Sequence, residues 1–286
     1  MVLESLFNPF VVKKKPWEMI FAGFLYATVG LIVGYLVFRE IAGLLAVFLV
    51  VISTLPLIFA TIKNEEELDL KINNEWKLLK EHTKVLLYFI FLFIGITLAF
   101  TLAYVFLPAE ITNDLFVLQK SAINNVNEGI HEKVTGSSVS RAYFFTNLFL
   151  NNAKVLFFCL IFSLLYGTGA IFILTWNASV SAAAIGTMIK SSLAQTVGIM
   201  GFSNIATYFS VVTTGFLRYM THGILEMAAY FVAGLAGGII SIAIIKHNLH
   251  NDKVLLDSLN LILISIGLLL MAGIVEIYVT PILFAT

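Results

Sequence analysis

Six stretches of this sequence are too long and too apolar for the core of an ordinary soluble domain: 17–38, 41–62, 85–107, 155–176, 222–245 and 258–284. A helix needs about 20 apolar residues to cross the hydrocarbon of a bilayer. Backbone N–H and C=O groups in lipid must find their partners within the segment, so such runs are helices. The expectation is an all-α, polytopic transmembrane helix bundle of about six spans, forming one integral membrane domain over 1–286. Composition agrees, since 12% of the residues are charged and 59% hydrophobic, against about 25% charged in a soluble domain. The 17 basic and 17 acidic side chains cancel, so no basic surface points to nucleic acid. Cys159 stands alone, which excludes an intrachain disulfide and a cysteine-built metal site. Lys13, Lys14 and Lys15 precede the first run. No small-residue cleavage site follows convincingly, so that run is read as a span and not as a signal peptide.

Lysine and arginine bias sets orientation. The three early lysines put the N-terminus in the cytoplasm, and the expected location is the plasma (cell) membrane, crossed several times. The 63–84 segment, "KNEEELDLKINNEWKLLKEHTK", carries five lysines and six acids and is read as a solvated cytoplasmic loop. The third span leads into an external segment, 108–152. There Ile111, Leu115, Leu118, Ile123, Val126 and Ile130 recur at helical spacing until "TGSS" breaks the pattern. This amphipathic segment is expected to cap the bundle or the lipid interface. Its apolar face also offers a docking surface for membrane or cell-envelope protein partners. The region 177–221 is expected to be re-entrant or interfacial, because "NASVSAAAIGTMI" supplies only about a dozen apolar residues before Lys190. Six spans with both termini inside is the first reading and seven the alternative; charge does not choose between them.

Polar residues inside the spans are the candidate functional groups, because an intramembrane charge needs a partner. At 100° per residue, His222, Glu226, Ala229, Ala233 and Gly237 share one face, with bulky apolar residues opposite. Ser265, Leu269, Ala272, Gly273, Glu276 and Thr280 share a face of the last span. Cys159, Ser163, Tyr166, Ala170 and Asn177 do so in the fourth. These stripes predict close helix packing through Gly167, Gly169, Ala229, Ala233, Gly237 and Gly273. They also predict an intramembrane cluster of Asn177, His222, Glu226, Glu276 and Thr280 on the cytoplasmic side, acting as an ion or partner site or as a helix clamp. His222 and Glu226 at i, i+4 could share a metal with Glu276, but no H-E-x-x-H is present and no metal or other cofactor is expected. G-x-S-x-G, Walker and dinucleotide motifs are absent from the sequence, so no catalytic residue is assigned.

"FTNLFLNNAKVLFFCLIFSLLYGTGAIFILTWNASVSAAAIG", followed by "HGILEMAAYFVAGLAGG" and "EIYVTP", resembles the stage II sporulation protein M family of integral membrane proteins. The matching positions are Asn152, Gly167, Gly169, Asn177, His222, Gly223, Glu226, Ala229, Glu276, Thr280 and Pro281, in order over about half the chain. Ala178 and Thr221 depart from the pattern, where glycine and proline are usual. The resemblance implies a non-enzymatic membrane scaffold that recruits partner proteins, without implying the sporulation role itself. The alternative is a small ion or solute channel or transporter using Glu226 and Glu276. A homo-oligomer is left open.

Overall fold

The computed structural model describes residues 15–72, 74–131, 138–200, 205–247 and 252–284. Among them the chain forms α1 (Glu18–Val37), a 3-10 turn (Arg39–Ile41), α2 (Ala42–Lys71), α3 (Glu75–Phe106) and α4 (Ala109–His131). There follow α5 (Ser138–Tyr166), α6 (Ala170–Met200), α7 (Ile205–Ile245) and α8 (Asp252–Ile274), then a π turn (Val275–Val279) and the short α9 (Thr280–Leu283). No strand occurs among the described residues. Among the described residues seven segments are long and apolar enough to cross a membrane: α1, α2, α3, α5, α6, α7 and the α8–α9 run. The protein is an all-α, multi-pass membrane protein.

One end of the bundle gathers charge. Asn74 caps α3 there by accepting the Lys77 N–H at 3.0 Å. Lys246, just past α7, donates to Glu66 at 2.7 Å and Glu67 at 3.3 Å on α2. His82 of α3 lies between Glu65 of α2, at 3.0 Å, and Asp257 of α8, at 2.9 Å. The ends of four helices are therefore tied by ion pairs at this charged end.

The opposite, far end is closed by α4. Leu115, Phe116 and Gln119 are buried, while Val117 and Leu118 are exposed, as an amphipathic helix requires. The Phe116 ring meets Phe100 at 6.1 Å and Tyr104 at 5.0 Å on α3. Arg39 pins the start of α4 through Glu110 at 2.7 Å and Asp114 at 2.5 Å.

The chain from 177 onward is not a separate re-entrant element. It turns earlier, at 167–169, and Asn177 lies inside the continuous helix α6. Gly167 takes φ +69, a left-handed conformation that residues with a Cβ avoid. Ser163 then accepts the Ala170 N–H at 3.3 Å and caps α6. The span is hard to see in sequence because its best window has a mean hydropathy of 1.4, the lowest of the seven. Polar side chains dilute the window but find partners inside the protein: Gln119 donates to buried Ser179 at 3.2 Å, and Asn177 to the Ile173 carbonyl at 2.9 Å.

Because α6 carries the chain from the charged end of the bundle to the far end, the expected depth of the polar cluster is reversed. With α6 spanning, α7 starts at the far end and reaches the charged end at Lys246. Glu226 stands twenty residues before Lys246, about 30 Å along a helix at 1.5 Å per residue. It therefore lies toward the far end and not beside the 63–84 segment. α7 is the central helix, with 83% of its apolar window buried inside the protein.

Candidate functional site

Three helices bring polar groups together near the far end. α5 and α7 run side by side in the same direction. Asn152 meets Glu226, and eleven residues further along both helices Ser163 meets Gly237. A Cβ on Gly237 would stand 2.5 Å from the Leu160 carbonyl oxygen, so the backbones touch only because glycine is there. Ala229 and Ala233 are fully buried on α7, Gly273 faces the Phe145 ring, and a Cβ on Gly169 would meet the Phe162 carbonyl.

Within this contact the Asn152 amide donates to a Glu226 carboxylate oxygen in a very short hydrogen bond. Tyr230, 2% exposed, lies near both Glu226 and buried Cys159. α8 approaches from the other side. Its Glu276 joins the same cluster through His222, which precedes Glu226 by one turn on α7. His222 Nε2 is 4.0 Å from Glu276 Oε1, an electrostatic contact longer than a hydrogen bond. Thr280 Oγ1 is 3.4 Å from His222 Nδ1 and donates its proton to the Val275 carbonyl at 3.1 Å. With that proton committed, the hydroxyl offers a lone pair to hydrogen on Nδ1, so Nε2, which faces Glu276, needs a further proton on itself or on the carboxylate for an attractive contact.

The backbone of α8 has a local reason for presenting Glu276. Pro281 lacks an N–H, and its ring would collide with the carbonyl four residues earlier in a regular helix. The wider π turn Val275–Val279 absorbs the conflict just before it, and Glu276 sits in that turn. Proline thus shapes the site through the helix that carries the acid.

The structure brings together His222, Glu226, Glu276 and Thr280. It does not bring Asn177 into hydrogen bonding with them, because the Asn177 amide is spent on its own helix. The amide that reaches Glu226 is Asn152, which lies on α5 in the first half of the same helical hairpin. The sequence placed Asn152 only within the family pattern; the i,i+74 partner carried no periodic signal. The Glu65–His82–Asp257 tie was missed altogether, because its members are 17 and 175 residues apart in sequence. No group of three or more His, Cys, Asp or Glu arranged to hold a metal occurs among the described residues.

No match to the chain is found among curated proteins or among solved structures. The family model for stage II sporulation protein M matches residues 85–281, from early in α3 to Pro281. The match covers more than half the chain and includes every residue of the α5–α7–α8 cluster. The chain belongs to the stage II sporulation protein M family of membrane proteins.

Proposed function

We propose that the α5–α7–α8 cluster is a proton or monovalent-cation site, and that the protein is a small membrane channel or transporter. One observation carries this reading. Glu226, one turn along α7 from His222, and Glu276, 4.0 Å from His222 Nε2, belong to one cluster inside the span region, and among the described residues neither forms an ion pair with lysine or arginine. Their partners are an amide and an imidazole. Two carboxylates and a neutral imidazole leave a negative charge that Arg218, near enough to act on His222, only partly offsets, and one proton or one monovalent cation balances the remainder. An ionisable group at such a depth is costly without a partner and marks ion pathways in membrane proteins. The π turn at Glu276 belongs to a class of helix defect often found at working sites. With the lysine-rich charged end in the cytoplasm, as charge bias favours, the site opens toward the outer side.

The test is flux into proteoliposomes carrying an internal pH dye, driven by an imposed potential. The wild-type protein is expected to exceed empty vesicles, and Glu226→Gln and Glu276→Gln to abolish the excess while melting normally. Wild-type flux at the empty-vesicle level, for protons and for sodium and potassium alike, would overturn the reading.

A second reading is a non-enzymatic scaffold for membrane or envelope proteins, with the same residues as a clamp. The Asn152–Glu226 bond between α5 and α7 favours it, as do the outward Val117 and Leu118 of α4. Its signature is loss of partner capture in Asn152→Ala cells with no change in ion flux.

A further inference from the structure

A second polar arrangement lies at the far end, away from the carboxylates. The ammonium of Lys120 on α4 is 5.3 Å from the centroid of the Tyr104 ring, and that of Lys190 on α6 is 5.2 Å from the same centroid. The ring is a fixed platform. Tyr104 is 4% exposed, and its hydroxyl is hydrogen-bonded to Thr187 at 2.8 Å. Gly186 leaves it room, since a Cβ there would stand 2.5 Å from the ring. The ring attracts each cation, but the two like charges beside it oppose one another.

Among the described residues no acid is shown to relieve that opposition. The far-end carboxylates Glu110 and Asp114 are engaged by Arg39. Lys120 donates only to the neutral Asn113 oxygen, at 2.7 Å. Lys190, half-buried, makes no hydrogen bond or ion pair among the described residues, so its three N–H donors find no acceptor among them. Both lysines sit where the apolar windows of α3 and α6 end, which is the depth of lipid headgroups.

We propose that Lys120 and Lys190, held around the Tyr104 ring, form a binding site for a phosphate group. Two ammonium groups, each a point charge with several N–H donors, suit the spread oxygens of a phosphate better than one planar carboxylate. An anionic phospholipid headgroup and soluble phosphate both present this chemistry, and the experiment separates them. The site is independent of the Glu226–Glu276 reading, because it shares no residue with it.

Thermal unfolding of the full chain in a neutral maltoside detergent is followed with added phosphatidylglycerol, phosphatidylcholine or inorganic phosphate. Phosphatidylglycerol is expected to raise the midpoint saturably and phosphatidylcholine not to do so. In the Lys120→Gln/Lys190→Gln double variant the half-saturating concentration should rise about tenfold or more, while Lys120→Arg/Lys190→Arg keeps the response. Saturation by inorganic phosphate alone, with loss of the lipid response in its presence, supports the site and identifies soluble phosphate as its source. Equal responses to the two lipids, or a glutamine variant that answers phosphatidylglycerol like wild type, sink the proposal. Circular dichroism of both variants confirms that they are folded before the comparison.

Discussion

Asn152 and Glu226 are held together by a hydrogen bond from amide to carboxylate across the α5–α7 interface, in the same register that sets Ser163 against Gly237. The polar bond and the glycine contact are two points of one parallel helix pair. That pairing makes their energetic roles separable.

The amide satisfies a half-buried carboxylate oxygen that would otherwise lose its acceptor role. Removing it with Asn152→Ala should cost about 1–3 kcal/mol, the usual penalty for an orphaned buried polar group. Asn152→Asp should cost more, because a third carboxylate then faces Glu226 and Glu276. Thermal or denaturant unfolding in detergent measures both, and a melting point equal to wild type for either variant would show that the bond is not a clamp. Combining Asn152→Ala with Glu226→Ala should give less than the sum of the single costs, since both remove the same hydrogen bond.

Glycines in the same helix should behave oppositely. Gly237→Val forces side-chain atoms into the Leu160 carbonyl, and overpacking of this kind costs about 1–3 kcal/mol or more. Gly223, in the H-G-x-x-E segment, has open space where a Cβ would point, with nothing within 4 Å. Gly223→Ala should therefore be neutral, or stabilising by up to about 1 kcal/mol through helix propensity. Parallel melts of the two variants check the contrast. If Gly223→Ala lost ion flux at unchanged stability, the glycine would serve the site and not the fold.

The all-α, polytopic class was legible because hydropathy windows report directly on what lipid demands of a backbone. The small face of α7 was legible because helical geometry alone aligns His222, Glu226 and Ala229. The span formed by α6 was not, since Asn177, Ser179 and Lys190 lower its hydropathy while their partners, Ile173, Gln119 and Tyr104, are set by tertiary packing. The depth error followed from that one helix: an omitted crossing moves every later residue to the opposite end. Asn152 and His82 were illegible as site residues for a simpler reason. Their partners lie on other helices, and no periodicity links positions so far apart in the chain.

His82 is the joint of the charged end. Its side chain is 3% exposed and Glu65 is 0% exposed, and both imidazole nitrogens face carboxylate oxygens. Only an imidazole with hydrogen on both nitrogens can donate to both. His82→Ala removes the shared partner of Glu65 and Asp257, and breaking a buried pair in this way costs about 3–5 kcal/mol. The variant should unfold at markedly lower denaturant, whereas Lys84→Ala, at an exposed i,i+3 pair with Glu81, should shift it by less than about 1 kcal/mol. Equal shifts for the two variants would show that the histidine is not a joint.

Lys246 lies just beyond the membrane-spanning part of α7, and its pH response has a definite sign. Burial alone would lower its pKa, but the hydrogen bonds to Glu66 and Glu67 outweigh it and hold the ammonium above its ordinary value of 10.5. A folded-state pKa above the unfolded one contributes stability that is complete below the unfolded value and disappears as pH rises through the folded value. The tie should therefore be constant from pH 6 to 9 and weaken only above about pH 10.5. Glu66 is fully buried, so Lys246→Met takes the ammonium away from a buried carboxylate. The Lys246 side chain is itself 30% exposed, and solvent screening reduces the loss to about 1–3 kcal/mol. Denaturant unfolding of wild type and Lys246→Met across that pH range should give two parallel lines that converge only at the alkaline end. Lines that already converge near pH 7 would mean that the ammonium is not what holds Glu66 in place.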